Sequence, residues 1–155
     1  MIAVRAPGPP RQVNIRRAIS ASYYAVFHLL AASVADHYVG KARRQTPEYR
    51  LAYRSLQHRR LKELCVELTK PSPKPIYRGY VPADGMDGPF LEFASAAKDL
   101  QEQRHMADYD PMARLKTANA QAAIKTARSA IGRFERMSGP SRRALLSLLV
   151  FSVRD

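Results

Sequence analysis

The chain contains little cysteine, and this scarcity excludes two kinds of small domain. Its 155 residues include one cysteine, Cys65. A single cysteine cannot close an internal disulfide, and it cannot supply the paired thiolates of a zinc site. A disulfide scaffold and a cysteine-based metal centre are therefore excluded. Cys65 lies in the middle of a helical pattern, so we expect it to be a buried apolar side chain.

Acidic residues are also scarce relative to basic ones. Lys and Arg number 26 against 13 Asp and Glu, which gives a formal net charge of +13. A surplus of this size favours polyanionic partners through counterion release, with nucleic acid first and an acidic membrane surface second. Two alternatives stay open, because the charge could serve solubility alone or be neutralised by an acidic partner protein.

Long apolar runs and common cofactor motifs are missing as well. The first twelve residues, MIAVRAPGPPRQ, contain no apolar stretch of the kind found in secretory signals. The apolar run Leu148–Phe151 near the C-terminus is far too short to span a bilayer. We find no P-loop, no glycine-rich dinucleotide motif and no His-Glu zinc pattern. The sequence predicts a cytoplasmic protein with no membrane partner, no metal and no cofactor.

Four segments have apolar residues at the three- and four-residue steps of a helix. The first is apolar on most sides, which is typical of a central helix. The second begins with Thr46 as a cap and Pro47 at its first position, and the fourth begins in the same way at Asp110 and Pro111. We expect helices over about 11–38, 47–68, 89–106 and 111–137.

These segments predict an all-α fold, an up-down four-helix bundle over residues 11–137. Residues 1–10 are expected to be a flexible arm, and residues 138–155 a tail or a short fifth helix. Residues 69–89 hold five prolines and three glycines, so they are predicted to be a long loop. Tyr77 and Tyr80 in this loop either stack on a base or attach the loop to the bundle, and we favour the second.

A polar stripe interrupts the apolar pattern of the first helix. Arg17, Ser20, Tyr24 and His28 follow one another at steps of three and four residues, so they share one face. An unpaired buried polar group costs roughly 1–3 kcal/mol, so the stripe requires partners. Those partners are either a ligand or single polar groups elsewhere in the core, and the sequence leaves both open.

The end of the third helix carries a second unusual feature. Arg104 continues the buried stripe of Phe93, Ala97 and Leu100 by four further residues, so we expect it to point inward. An inward guanidinium requires an anion or a hydrogen-bonded acceptor. The acceptor is either an acidic side chain of the chain itself or the phosphate of a ligand. The internal candidates are Asp108 and Asp110.

The two features together resemble the HEPN superfamily. The segment Arg17–His28, with paired tyrosines followed by Phe27 and His28, resembles the first helix of many prokaryotic HEPN proteins. Arg104 followed by Ala107, Asp108 and Tyr109 resembles the end of the third helix in the same branch. The resemblance implies a four-helix bundle that dimerises, with a composite site near the dimer interface. Members include ribonuclease toxins, often paired with a nucleotidyltransferase, RNA-cutting defence effectors, and non-catalytic RNA- or nucleotide-associated domains.

The chain departs from the nuclease branches in one respect. Those branches carry an arginine followed after four to six residues by a histidine. Here Tyr109 stands five places after Arg104, and a tyrosine is a poor general base at neutral pH. His105 is adjacent to Arg104 but about 100° around the helix. If His28 faced Arg104 across the bundle, it would supply the missing imidazole.

Three functions follow from these patterns. The first is a HEPN-like module for RNA or nucleotide, part of a toxin–antitoxin or defence system with an antitoxin or nucleotidyltransferase partner. The second is a metal-independent ribonuclease toxin that uses Arg104, His28 and Tyr109. The third is a structural helical dimer that binds an acidic protein. The residues predicted to bind RNA or nucleotide are Arg17, Ser20, Tyr24, Arg104, His105 and Asp108.

Overall fold

A computed structural model describes residues 11–154, and within that range it is helical with no β-strand. The predicted all-α class is therefore confirmed, whereas the predicted arm at residues 1–10 lies outside the described residues. A 3-10 turn at Lys41–Arg43 follows α1. The α-helices are α1 (Gln12–Tyr38), α2 (Pro47–Arg54), α3 (His58–Glu67), α4 (Pro75–Arg78), α5 (Gly88–Tyr109), α6 (Thr117–Arg136) and α7 (Gly139–Val150).

Helix α1 lies at the centre of the fold. It packs against α2, α5 and α6, and buried side chains occur at three- and four-residue steps along it, among them Ile19, Tyr23 and Leu30. By length and composition α1 is also apolar enough to cross a membrane, although half of its most apolar stretch is buried inside the fold. Core helices have the same composition, and the contacts of α1 with its neighbours account for its apolar character.

The contacts fix the relative directions of the three long helices. Arg16 meets Ala107 and Asp110, whereas Tyr24 lies under Arg104, so α1 and α5 run antiparallel. The N-cap of α5 meets Ser138 just after α6, so these two helices are antiparallel as well. Consequently α1 and α6 begin at the same end of the fold. In an up-down bundle of four helices the first and last begin at opposite ends.

Compared with an up-down bundle of four helices, the chain reverses direction once more before α5. This reversal lies in the segment predicted as one helix over 47–68. That prediction is wrong, because the chain leaves the helix between Arg54 and His58 and forms α2 and α3 instead. Tyr53 and His58 each bind an aromatic or imidazole side chain of α1. In one continuous helix these two residues would point about 140° apart, so they could not both face α1. The break at residues 55–57 allows both contacts.

The predicted start of the last long helix at Asp110–Pro111 is also wrong. The Oδ1 atom of Asp110 accepts hydrogen bonds from the backbone of Met112 and Ala113, which forms a turn rather than a helix. Helix α6 begins at Thr117, where the Asn119 side chain accepts from the Lys116 backbone N–H. An aspartate before a proline is compatible with both structures, and here the turn forms.

The segment between α3 and α5 is attached to the core, and so is the C-terminal segment. Tyr77 is 4% exposed and its hydroxyl donates to Glu63, whereas Tyr80 is 53% exposed. Tyr77 therefore attaches this segment to the bundle, which is the interpretation favoured from the sequence. Residues 139–150 form α7, whose inward side chains join the core. These are Leu145, Leu146, Leu148 and Leu149.

One aspartate connects the starts of α5 and α7. Asp87 caps α5, because its Oδ1 accepts from the backbone N–H of Phe90 at 3.0 Å. Its Oδ2 accepts from the backbone N–H of Ser138, the N-cap of α7, at 2.6 Å. In return, the backbone N–H of Asp87 donates to Ser141 Oγ. The two helix starts thus share a single hydrogen-bonded group.

Candidate functional site

The site is built around Arg104 on the last turns of α5. Its side chain is 14% exposed, and the guanidinium carbon lies 5.2 Å from the ring centre of Tyr23 and 5.1 Å from that of Tyr24. At this distance the ring faces attract a cation without neutralising it. Arg104 therefore points inward, and α1 supplies the surface on which it rests.

One carboxylate of the chain meets this guanidinium. Arg104 Nε donates to Asp108 Oδ2 at 3.1 Å, and the same oxygen accepts from Ser20 Oγ at 3.3 Å. Burial opposes the charge of Arg104, but Tyr24, Asp108 and Tyr109 outweigh it and raise the pKa. Arg104 Nη2 reaches the Tyr109 hydroxyl at 3.5 Å, and within residues 11–154 no group accepts from Nη1. Donor capacity of the guanidinium thus remains for a ligand.

A histidine that was not predicted as a site residue lies beside this arginine. His58 Nδ1 shares a hydrogen bond of 2.7 Å with the Tyr23 hydroxyl, and its ring stacks on Phe27 with centres 4.0 Å apart. Burial lowers the pKa of His58, and the charges of Arg104 and His28 lower it further. Burial also raises the pKa of Tyr23. At neutral pH the site therefore holds a neutral imidazole next to a charged guanidinium.

His28, the histidine predicted to complete the site, has other partners. Its Nδ1 shares a hydrogen bond of 2.7 Å with the Tyr53 hydroxyl. Its ring lies between those of Tyr24 and Tyr53, with centres 5.8 and 5.9 Å away. The side chain is exposed, and no contact between His28 and Arg104 is found among the described residues. The imidazole that is hydrogen-bonded to a tyrosine under Arg104 is that of His58, whose partner is Tyr23.

A cleft of about 570 Å³ opens beside Arg104. This volume is within the range of sites for small molecules. On its edge, Tyr109 is 63% exposed and its ring centre lies 5.0 Å from that of His105. The other lining residues come from α3, α5 and the turn after α5, and they are Lys62, Gln101, Glu102, Met106 and Asp110. An inward cation and an exposed aromatic ring thus border the same space.

The structure brings together most of the residues predicted to bind RNA or nucleotide. Ser20, Tyr24 and Asp108 contact each other or Arg104, and His105 and Tyr109 line the adjoining cleft. Arg17 is exposed, and no hydrogen bond of its side chain is found within residues 11–154. Its neighbour Arg16 turns inward instead. The guanidinium of Arg16 donates to the carbonyls of Ala107, Asp110 and Ala113 at 2.8, 2.8 and 2.6 Å.

Tyr23, Phe27 and His58 belong to the site, but none of them was predicted from the sequence as a site residue. Tyr23 fits the apolar stripe of α1, and nothing in the local pattern shows that its hydroxyl has a polar partner. His58 follows a break that the sequence does not signal. The adjacent pair Tyr23 and Tyr24 did carry a signal. Neighbouring residues on a helix point about 100° apart, so on a central helix these two side chains must face different parts of the fold.

No group of three or more His, Cys, Asp and Glu side chains in the described part of the chain could hold a metal ion. What the arrangement offers is an inward guanidinium, a neutral imidazole and aromatic faces. Such groups bind anions, stack on bases and move protons. Comparisons of the chain with protein-family models, with curated proteins and with solved structures found no match.

The lowered pKa of His58 gives the fold a pH dependence that can be measured. The unfolded chain takes up a proton at this residue below its ordinary pKa of 6.5, whereas the folded chain resists protonation. Stability from this residue is complete above that pH and is lost as the pH falls below it. We expect urea unfolding to show a steeper loss of stability in this range for the wild type than for His58→Gln. Parallel curves for the two proteins would contradict the assignment.

Proposed function

We propose that the protein is a binding module of the HEPN type, and that Arg104 holds a phosphate of RNA or of a nucleotide. The observation that carries this proposal is the position of the guanidinium. It is largely buried, rests on two tyrosine faces and faces a cleft of suitable volume, and within residues 11–154 its acidic partner is one carboxylate. A purely structural role for Arg104 would not account for an open cleft beside its guanidinium.

The chemistry of arginine supports a phosphate as the ligand. Its planar guanidinium offers two parallel N–H groups that match phosphate oxygens, and it stays charged at every physiological pH. Asp108 engages Nε and Nη2 makes one long contact with Tyr109, which leaves Nη1 without an acceptor within residues 11–154 to meet a ligand. Tyr109 and His105 border the same cleft and offer surfaces for a base. The net charge of +13 draws a polyanion to the whole molecule.

The HEPN assignment is supported by the meeting of the two motifs. The segment with Tyr23, Tyr24, Phe27 and His28 and the segment with Arg104 and Asp108 are far apart in the sequence but adjacent in the fold. The finer architecture that we propose is a HEPN bundle whose four positions are filled by α1, by the pair α2–α3, by α5 and by α6. Helix α7 then covers the bundle from outside.

The resemblance also suggests the setting in which the module acts. We expect a cytoplasmic protein that forms a homodimer and belongs to a toxin–antitoxin or defence system. Its partner would be an antitoxin or a nucleotidyltransferase. The charge supports an acidic or nucleic-acid partner, and the remaining details rest on the resemblance of the two motifs.

The proposal is tested by replacing Arg104. Binding of labelled single-stranded RNA, measured by fluorescence anisotropy at low salt, is expected to weaken tenfold to a hundredfold in Arg104→Ala, the effect of losing a charged hydrogen bond. Arg104→Lys keeps the charge but loses the planar fork, so it should recover only part of the affinity. Arg128→Ala, which removes an exposed charge on α6 that does not line the cleft, serves as the control.

Two results would reject the proposal. One is an absence of RNA or nucleotide binding by the wild type at low salt. The other is equal binding by Arg104→Ala and Arg128→Ala, since then the overall charge alone explains the affinity. Thermal unfolding of each variant establishes that the protein is folded in the assay.

A metal-independent ribonuclease is a second candidate. The hydrogen bond that holds His58 to Tyr23, beside Arg104, favours it. A neutral imidazole can accept the proton of a ribose 2′-hydroxyl as its oxygen attacks the adjacent phosphorus, and a guanidinium can stabilise the negative charge that develops on the phosphorane oxygens. The imidazolium can then return the proton to the 5′-oxygen as the bond between that oxygen and phosphorus breaks. Incubating the same proteins with total RNA and EDTA separates the two candidates. Cleavage by the wild type that is lost in Arg104→Ala and His58→Ala supports the nuclease. The variant His28→Ala tests the residue predicted from the sequence. If the wild type leaves the RNA intact, the binding module is the remaining candidate.

A further inference from the structure

The positive charge of the protein is concentrated on one part of the chain. Residues 41–62, which include α2 and the start of α3, contain eight Lys and Arg side chains and one acidic side chain, Glu48. This is a net charge of +7 within a total of +13. The basic residues in this range are Lys41, Arg43, Arg44, Arg50, Arg54, Arg59, Arg60 and Lys62.

Most of this charge is not neutralised by the chain itself. Arg43 lies near Glu48, and Arg44 pairs with Asp36 at 2.8 Å. Arg60 is half-buried, donates to the Leu148 carbonyl and pairs with Glu63. Within residues 11–154 the other five side chains form no ion pair, and all of them are exposed. These are Lys41, Arg50, Arg54, Arg59 and Lys62.

Exposed charges follow one another along α2 and α3, and one of them borders the Arg104 cleft. Arg50 and Arg54 are four residues apart on α2, and Arg59 and Lys62 are three apart on α3, so each pair occupies one side of its helix. Lys62 also lines the cleft that Arg104 faces. We refer to Arg50, Arg54, Arg59 and Lys62 as the basic track.

From this arrangement we infer that the basic track binds the sugar-phosphate backbone of a single-stranded RNA whose neighbouring nucleotide occupies the Arg104 cleft. The inference rests on the proposed function and adds the substrate class, a strand that extends past the cleft rather than a free nucleotide. Exposed Lys and Arg side chains bind the regular charges of such a strand by releasing its counterions, without reading its sequence.

An acidic protein fits the same surface less well. Protein interfaces are held by aromatic and arginine anchors packed at their centre. On α2 the two tyrosines turn away from the track, because Tyr49 binds Asp36 and Tyr53 binds His28 on α1. The exposed aromatic ring near the track is Tyr109, at the edge of the cleft, where it can stack on a base.

A triple variant of the track tests the inference against a control of equal charge. The test protein is Arg50→Gln, Arg54→Gln, Arg59→Gln. The control is Lys125→Gln, Arg128→Gln, Arg136→Gln, three exposed residues on α6. Glutamine has a helix propensity close to that of Arg and Lys, so both variants should fold. Dissociation constants are measured for a dinucleotide and for single-stranded RNAs of increasing length, each over a series of salt concentrations.

For the longer RNAs we expect the track variant to bind roughly tenfold or more weakly than the wild type. The slope of log K against log salt should decrease in magnitude by about 2, as three lost contacts with a single strand imply. Binding of the dinucleotide should be unchanged, because it occupies the Arg104 cleft alone. The α6 control should change the affinity for long RNA by much less.

The outcomes separate this inference from the proposed function. Equal losses in the track and control variants would overturn the inference, because overall charge would then explain binding. Competition by polyglutamate as strong as that by RNA of equal charge would also overturn it, in favour of an acidic protein. If Arg104→Ala has no effect while the track variant weakens binding of long RNA, the proposed role of Arg104 is wrong. The binding of RNA by the basic track is then retained.

Discussion

Replacement of Arg16 by alanine is expected to lower the free energy of unfolding by about 2–3 kcal/mol, because hydrogen bonds to a charged group contribute roughly 1.5–3 kcal/mol each and part of this loss is recovered by water. The guanidinium of Arg16 donates to the carbonyls of Ala107, Asp110 and Ala113. Ala107 is in the last turn of α5, where carbonyls have no partner within the helix, and the other two follow that turn. Urea denaturation monitored by circular dichroism measures the change.

The adjacent residue provides a matched control for this experiment. Arg17 has the same side chain on the same helix but is exposed, and we expect Arg17→Ala to change stability by less than about 0.5 kcal/mol. Arg16→Lys should fall between the two, since an ammonium cannot reach three carbonyls with the geometry of a guanidinium. If Arg16→Ala and Arg17→Ala unfold at the same urea concentration, Arg16 does not hold the end of α5.

Replacement of Phe93 by alanine is expected to have the largest effect on stability, a loss of about 3–5 kcal/mol. Phe93 on α5 is completely buried, and its ring centre lies 5.8 Å from that of Phe134 on α6. Removing the ring leaves a cavity between two helices that run antiparallel along most of their length. The change is measured by urea denaturation, as for Arg16.

Leu91 serves as the control for Phe93. It lies on the same helix two residues earlier and is 43% exposed, so its removal leaves no cavity in the core. We expect Leu91→Ala to lower stability by less than about 1 kcal/mol. A loss for Phe93→Ala as small as that for Leu91→Ala would mean that the α5–α6 contact does not hold the fold together.

The parts of the fold that are determined by residues close together in the sequence were predictable from it. Apolar steps of three and four gave the extent of α1, and Thr46 with Pro47 gave the start of α2. The end of α2 was not predictable, because no proline or glycine lies between Arg54 and His58. The chain breaks there so that Tyr53 and His58 can bind side chains of α1, and contacts between distant residues leave no local signal.

The site shows the same division. The inward position of Arg104 followed from the helical register, and Asp108, one turn later, was one of the two internal acids predicted as its partner. His58 could not be selected, because a continuous helix would have turned it away from Tyr23. The role of Arg16 at the end of α5 was not predictable either. Arg16 and Arg17 are adjacent, and the sequence does not show which of the two turns inward.

The shared group at Asp87 has a consequence for how the molecule unfolds. Its carboxylate holds the first turn of α5 and the N-cap of α7 at once, and its backbone N–H donates to Ser141 Oγ in the first turn of α7. Fraying at either helix start removes a partner from the other, so the free energies of opening the two ends are coupled. The last helix therefore belongs to the same cooperative unit as the helix that carries Arg104, although the two N-caps are 51 residues apart in the sequence.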